Sequence, residues 1–245
     1  MVDPKACITP GTPLAIFLGY FVALGAAVLI TVFTYGIGLI LFILSPLWRH
    51  FEYKKSLALI HGSGIKINEA QFPEIYDCVK TFATRLNLKE VPEVYIIEAS
   101  VMNAAAIRLG RKQVITLTDD LIHGCLLSKR PEALAFVIGH ELGHIALGHN
   151  KPFRGFMNQH YKKLSRLDEY TADCIGHKLV QSTEITAHGI IMLTVGPQLL
   201  SFLNYPELMN QVDEVLKNKY SKKAERGRSH PLLLHRMQRI LQSSS

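Results

Sequence analysis

The sequence predicts an α+β protein, namely a mostly helical domain with a small antiparallel sheet, preceded by an N-terminal transmembrane segment. Three observations support this fold class. A charge-free apolar run covers residues 13–48. Two short β-branched runs, EVYIIE and QVITL, follow it and are typical of strands. Apolar runs such as EALAFVIG, which comes just before two histidines, are typical of helices buried in a domain.

The apolar run is of an awkward length for a membrane segment. It lies between Lys5 and Arg49, with no charged residue in between. One membrane helix needs about 20 residues and two need about 40. A single long tilted helix and a tight hairpin broken near Gly25 or Gly36 are therefore both open. The run is too long, and its start too weakly basic, for a typical secretory signal.

The charges that flank the run predict its orientation. Arg49, Lys54 and Lys55 follow it, whereas Lys5 and the amino terminus precede it. Because positive charge favours the cytoplasmic side, we expect an integral membrane protein whose domain lies on that side. The predicted organisation is a tail at residues 1–12, the transmembrane segment at 13–48, a juxtamembrane linker at 49–68 and the main domain at 69–245.

The hairpin of the predicted sheet lies between NAAAIR and QVITL. The sequence Leu109-Gly110-Arg111-Lys112 joins these two runs and is typical of a turn, which makes them an antiparallel pair. Further along, STEITAHGIIMLTVGPQLLSFL at residues 182–203 is predicted to form a buried helix, with a second membrane span as the minor alternative.

The sequence HELGH, residues 140–144, has the spacing of a metal-binding helix. A helix turns once every 3.6 residues, so His140 and His144 share one face. Two imidazoles placed in this way can bind one zinc ion at about 2.0 to 2.1 Å. Glu141 would then reach a metal-bound water and take its proton. The alternative is two ordinary helix histidines, one buried and one exposed.

A zinc ion would need a third protein ligand. An extended H-E-x-x-H-x-x-G-x-x-H pattern fails, because Leu147 and Asn150 occupy its last two positions. The segment RLDEYTADCIG offers Glu169 as a ligand and Asp173, one turn later, to orient a ligand histidine. The alternative for this acidic pair is a solvated helix face. Three further histidines are candidates for the third ligand: His149, His160 and His177.

These motifs together resemble the HtpX-like zinc metallopeptidases, a family that includes the CAAX prenyl endopeptidase and OMA-type quality-control proteases. The similarity runs from about residue 70 to about residue 240 through FPEIYDCVKTFATRLNL, VPEVYII, MNAAAIRLGRKQVITLTDDLI, GHELGHIALGH, DEYTADCIG and SHPLLLHRMQRI. HtpX itself carries further membrane helices after the metal helix. Here residues 150–167 are short and polar, so no span can be placed there.

The resemblance implies the fold and the chemistry of the metal site. It implies a zincin-type metalloprotease domain of the gluzincin kind that binds one Zn²⁺ per chain. The implied zinc ligands are His140, His144 and Glu169, and Glu141 is the implied catalytic base.

The resemblance also implies roles around the ligands. His230 would stabilise the transition state, with Arg236 supporting it. The Asn-Ala strand, with Asn103, Ala104 and Ala105, would be an edge strand. An edge strand beside a zinc site can bind an extended peptide through its backbone, and small side chains would let the substrate approach closely. The alternative is an ordinary alanine-rich strand.

Charge and cysteine content narrow the function classes. The net charge of +7 is concentrated at residues 151–166 and 217–228. These basic segments carry no recognition motif and no interleaved aromatic residues, so nucleic acid is not a predicted partner. The favoured interpretation of these segments is solvated loops, and in a membrane protein they could also contact anionic lipid head groups. The four cysteines form no C-x-x-C pair, which is compatible with a reducing compartment; they are Cys7, Cys78, Cys125 and Cys174.

The sequence therefore predicts a membrane-anchored, zinc-dependent endopeptidase that acts in quality control or processing of membrane proteins. Its expected partners are a protein or peptide substrate and the lipid membrane. The alternative is a non-catalytic, membrane-bound, zinc-containing chaperone or adaptor, favoured if a side chain such as His230 fills the fourth zinc position. A CAAX-type protease would need an intramembrane chamber, which one short hydrophobic segment cannot build.

Overall fold

The computed structural model describes residues 1–99, 103–127, 131–196, 202–218 and 220–244. The described part is mostly helical with one small sheet, which confirms the α+β class. The elements in chain order are a short 3-10 helix Pro4–Cys7, α1 Thr12–Phe33, α2 Ile37–Ser63, β1 Ile65–Ile67, α3 Pro73–Arg85, β2 Glu93–Ile97, β3 Ala104–Leu109, β4 Lys112–Thr118, α4 Asp119–Leu127, α5 Glu132–Leu147, α6 Pro152–His160, α7 Lys162–Val180, α8 Thr183–Val195, α9 Tyr205–Lys217, α10 Ser221–Glu225 and α11 Leu233–Ser244.

The sheet has the strand order β1-β2-β4-β3. Strands β3 and β4 form the predicted antiparallel hairpin, which turns at Gly110 with a φ of 65°. The expectation of a wholly antiparallel sheet is wrong, because β2 and β4 are parallel and the sheet is mixed. Strand β3 lies at the outer edge and runs antiparallel to β4, and β4 pairs with β2 in the same direction.

Helices α5 and α7 carry the metal motifs and pack closely against each other. Small residues at their contact make this approach possible. A Cβ added to Gly139 would lie 3.1 Å from the Cα of Gly176, and one added to Gly143 would lie 3.3 Å from the Cα of Ala172. The close backbone approach brings the histidines of α5 beside the carboxylates of α7.

The apolar run forms a tight helical hairpin, which is one of the two arrangements that its length allows. The turn between α1 and α2 contains Tyr35 and Gly36, both at positive φ, 49° and 87°. Among the described residues, α1 is the helix whose length and apolar composition would allow it to cross a membrane. Its large apolar side chains are mostly exposed, and that of Phe33 at its end is 78% exposed.

The segments on both sides of this hairpin belong to the folded domain. Residues 1–12, expected to be a tail, lie against α7: Thr9 donates its N–H to Thr171 Oγ1 at 3.1 Å, and Cys174 Sγ is 2.7 Å from Cys7 Sγ. Residues 49–68, expected to be a linker, are helical to Ser63 and then form β1 of the sheet. The physical reason is that both segments carry side chains that complete the core of the domain.

The apolar stretch at residues 182–203 forms α8 over Thr183–Val195. Ser182 caps this helix, because its Oγ accepts from the N–H of Ile185 at 3.2 Å. Ile190, Ile191 and Met192 are fully buried in the main core, as expected for a helix of the domain. Residues 197–201 of the predicted stretch lie outside the described ranges.

Candidate metal centre

Three predicted ligand residues converge at the contact between α5 and α7. The Nε2 atoms of His140 and His144 are 3.1 Å apart. The carboxylate of Glu169 lies 3.6 Å from the first and 3.5 Å from the second. Four ligands arranged tetrahedrally at zinc bond lengths of about 2.0 to 2.1 Å are separated from one another by about 3.3 Å. The three donor atoms therefore have the spacing of three corners of a zinc site.

The donor set also suits zinc chemically. Two imidazoles and one carboxylate are typical of catalytic zinc sites, in which water or substrate takes the fourth position. His140 and Glu169 are buried and His144 is half-buried, so part of the cluster is accessible to solvent.

The electrostatics of the cluster favour a cation. Burial disfavours a charged His140, but the carboxylates of Asp173 and Glu169 outweigh it and raise the pKa of His140 to about 10. Burial lowers the pKa of the facing His144 to about 3, so of the two imidazoles His140 alone carries an extra proton and a positive charge at neutral pH. Burial also opposes ionisation of Glu169, yet hydrogen bonds from His140 and His230 hold its pKa well below its ordinary value. A metal ion binding here would replace that proton.

Glu141 lies beside the ligand histidines and is buried. Burial raises the pKa of its carboxyl group, and the backbone of Ala106 in β3 acts in the opposite direction through a hydrogen bond. A buried carboxylate with a raised pKa suits a residue that accepts a proton during a reaction. Glu141 therefore lies between the ligand cluster and the edge strand β3.

His140 is held by a charged pair from α7 and α11. Its Nδ1 is 2.9 Å from Asp173 Oδ1. Arg236 donates from Nε to Asp173 Oδ2 at 2.8 Å and from Nη2 to Oδ1 at 2.6 Å. Asp173 thus contacts a candidate ligand histidine, and its role in orienting that ligand stays a prediction. The resemblance implied that Arg236 supports His230, but its guanidinium binds Asp173, because that buried carboxylate needs a positive partner.

His230 lies between α10 and α11, next to the ligand cluster. Its Nδ1 is 3.0 Å from Glu169 Oε2, and its side chain is 66% exposed. The hydrogen bond to Glu169 raises the pKa of His230. The segment that carries it is held by Arg166, whose Nη1 donates to the carbonyls of Arg226 and Arg228 at 2.9 and 2.8 Å.

The alanine-rich strand β3 is the edge strand of the described sheet beside the site. Asn103 stabilises its start, since its Oδ1 accepts from the Ala104 N–H at 2.9 Å and its own N–H donates to Thr118 Oγ1 at 3.0 Å. Ala104 is buried and Ala105 is half-buried. The predicted contact of these three residues with substrate stays a prediction.

The sequence reasoning missed the residues that surround His144. His149 is buried, and its Nδ1 is 3.0 Å from His144 Nδ1. From the sequence, His149 was only one of three candidate third ligands, and it lies one position before the last histidine position of the extended zinc-binding pattern. The sequence signal for this contact was Gly148, a residue that commonly ends a helix. It ends α5 at a φ of 69° and lets the chain turn back, so that the His149 N–H donates to the His144 carbonyl at 2.9 Å. Burial lowers the pKa of His149 to about 4, which keeps the imidazole neutral.

Two more histidines that the sequence proposed as the third ligand lie away from the cluster. His160 is exposed at the end of α6 and packs against Phe156, with ring centroids 4.5 Å apart. His177 Nδ1 is 2.9 Å from Thr186 Oγ1 of α8. In the described part of the chain, the group of side chains that could hold a metal ion is His140, His144 and Glu169.

A His-Glu-x-x-His pair on one helix, completed by a carboxylate from a second helix, is an arrangement typical of zinc peptidases. The model of peptidase family M48 matches residues 69–153 and 151–244, which is most of the chain. The chain therefore belongs to peptidase family M48, which agrees with the resemblance to HtpX-like enzymes and makes it a zinc metallopeptidase acting on proteins or peptides. No solved structure matches the chain.

Proposed function

We propose that the protein is a membrane-anchored zinc endopeptidase of the gluzincin kind, which binds one Zn²⁺ per chain through His140, His144 and Glu169. The observation that carries the proposal is the spacing of the three donor atoms, 3.1 to 3.6 Å, next to the buried carboxyl group of Glu141. Family membership supports the general activity, and this geometry supports the particular residues.

The side chains around the cluster suit peptide hydrolysis. When bound, zinc makes a coordinated water more acidic and polarises the scissile carbonyl. Glu141 takes the proton of the attacking water and passes it to the leaving amine. His230 donates to the developing oxyanion, a contribution worth about a hundred- to a thousandfold in rate.

The edge strand offers a place for an extended substrate. An incoming peptide would add to β3 by backbone hydrogen bonds, with Asn103, Ala104 and Ala105 as its contacts. Small side chains at these positions would let the substrate backbone approach. The scissile bond would then lie near Glu141, which the backbone of Ala106 already contacts.

The apolar hairpin supports the proposed location. Its exposed apolar side chains suit contact with lipid, and both ends of the hairpin return to the same domain. The basic residues that follow the apolar run favour the cytoplasmic side for that domain. A protease held in this way would act on membrane proteins in quality control or processing.

The test of the proposed function is the variant Glu141→Gln in detergent-purified full-length protein. We expect about one zinc ion per chain in both proteins, because Glu141 is not a ligand. Casein cleavage should fall about a hundred- to ten-thousandfold, the usual contribution of a general base. Glu74→Gln, an exposed change on α3, is the matched control and should cleave normally. Retained cleavage in Glu141→Gln would contradict the role of Glu141.

A second candidate function rests on the position of His230. Its Nδ1 lies 3.0 Å from a ligand oxygen, which is close enough for its imidazole to serve as a fourth ligand. A site closed by protein side chains would suit a zinc-containing chaperone or adaptor without catalysis. X-ray absorption of the zinc protein separates the two. Two histidine nitrogens with cleavage support the protease, and three without cleavage support the adaptor.

A further inference from the structure

We propose that His149 is a positioning residue for the metal ligand His144 and that Asp168, itself held by α6, keeps His149 in place. The inference rests on the proposed zinc site, because it concerns how one of its ligands is oriented. It adds a chain of contacts from His144 through His149 to Asp168.

The geometry of this chain is continuous and buried. His144 Nδ1 is 3.0 Å from His149 Nδ1, and His149 Nε2 is 3.5 Å from Asp168 Oδ1. His149 is 8% exposed and Asp168 is 1% exposed. Buried polar groups of this kind need partners, and each of the three side chains has one in the next.

The hydrogen-bond roles in the chain are consistent with metal binding. His144 offers Nε2 to the metal cluster, so its proton lies on Nδ1 and is donated to His149 Nδ1. His149 must then carry its own proton on Nε2, the atom that faces the carboxylate of Asp168. This choice of tautomers pairs the two imidazoles and turns the N–H of His149 towards Asp168, and it orients the His144 ring towards the metal.

Asp168 is fixed by two side chains of α6. Arg154 donates from Nε to Oδ2 at 2.9 Å and from Nη2 to Oδ1 at 2.5 Å. Asn158 Nδ2 donates to Oδ2 at 2.9 Å. The charge of Asp168 is therefore paired by Arg154.

Helix α6 in turn packs against the apolar hairpin. The rings of Phe153 and Tyr20 of α1 have centroids 5.1 Å apart. Met157 lies so close to α1 that a Cβ added to Gly19 would be 3.1 Å from its Sδ. The orientation of His144 therefore depends on how α6 is seated against α1.

The test measures zinc affinity by competition with a chelator, using the full-length protein in detergent. His149→Phe keeps a ring of similar size and removes the hydrogen bond to His144 and the contact with Asp168, so we expect the zinc Kd to rise about ten- to a hundredfold. His149→Asn should recover part of the loss, because its amide oxygen can accept from His144 Nδ1. The control His160→Phe makes the same change at an exposed histidine of α6 and should leave the Kd unchanged.

Cobalt substitution provides a second readout, which a purely structural role would not change. The visible absorption of bound Co²⁺ should shift in His149→Phe and not in His160→Phe, because ligand orientation alters the coordination geometry. An unchanged Kd and an unchanged cobalt spectrum in a folded His149→Phe would overturn the inference. If that variant does not fold, His149→Asn and Asp168→Asn decide, and wild-type affinity in both would overturn it.

Failure of the inference and failure of the proposed function have different outcomes. If the wild-type protein binds no zinc, both fail. If it binds zinc and cleaves casein while the His149 variants bind zinc equally well, only the positioning role of His149 fails.

Discussion

The two histidines of the metal cluster lie one helical turn apart but are held by different parts of the chain. His140 contacts the ionised carboxylate of Asp173 directly, at 2.9 Å, and Arg236 of α11 secures that carboxylate. His144 contacts a neutral imidazole, His149, and its carboxylate, Asp168, lies one residue further away. His140 is therefore held by one direct contact with a charged group, whereas His144 is held through two successive side chains that lead to α6.

This difference indicates that the two halves of the site depend on different packing. The pair on the His140 side lies between two helices of the domain core. The chain on the His144 side ends on a helix that contacts the apolar hairpin. Damage to the core should therefore act mainly through His140, and displacement of the hairpin mainly through His144.

The largest expected effect follows removal of the cation on the His140 side. Arg236→Met leaves Asp173 buried without its positive partner, which should lower the free energy of unfolding by about 3 to 5 kcal/mol. Chemical denaturation of the detergent-solubilised protein measures this. Arg111→Met, at an exposed arginine of the β3–β4 turn, should change it by no more than about 0.5 kcal/mol. Equal stability of the two variants would contradict the importance of the Asp173–Arg236 pair.

Replacing each of the two carboxylates in turn by an amide tests directly whether His140 or His144 depends more on its supporting aspartate. Asp173→Asn should raise the zinc Kd by up to about a hundredfold, because Asp173 contacts a ligand histidine. Asp168→Asn should raise it less, because His149 lies between Asp168 and the ligand. Both values come from the same chelator competition. A larger effect for Asp168→Asn would reverse the proposed order of the two supports.

Acid sensitivity should also distinguish the Asp173 side. Burial would raise the pKa of Asp173, but Arg236 and His140 outweigh it and lower this pKa below its ordinary value. The resulting stabilisation is complete above the unfolded-state pKa of about 3.9 and is lost as pH falls through the lower folded-state pKa. Unfolding curves should therefore show wild type more stable than Asp173→Asn above about pH 4, with the gap closing in stronger acid. A constant gap would contradict this source of stability.

The smallest expected effect comes from the contact of α1 with α6. Gly19→Val places methyl groups against Met157 and should raise the zinc Kd about two- to tenfold through the His144 side. Gly25→Val is the matched control on the same helix, because a Cβ there meets no atom within 4 Å. Identical zinc affinity in the two variants would show that the seating of α6 does not influence His144.

Much of the centre could be predicted from the sequence, because its key spacings are local. His140, Glu141 and His144 lie within one turn and a half of a helix, whose geometry decides which side chains share a face. Glu169 and Asp173 are likewise one turn apart. The hairpin between β3 and β4 was also accessible, since turn residues are a local signal. The apolar run left a single long helix and a hairpin broken near Gly25 or Gly36 both open, and the structure has the turn at Gly36.

Contacts between distant segments were decided only by the tertiary structure. The place of β4 beside β2, the packing of residues 1–12 on α7 and the pairing of Arg236 with Asp173 each join parts of the chain that no local period relates. His149 shows most clearly which contacts the sequence alone could not predict. Its sequence position indicates a histidine out of register, and the turn at Gly148 together with the burial of Asp168 makes it the partner of His144. The sequence by itself determined which side chains share a helix face, and the close approach of helix backbones decided which faces meet.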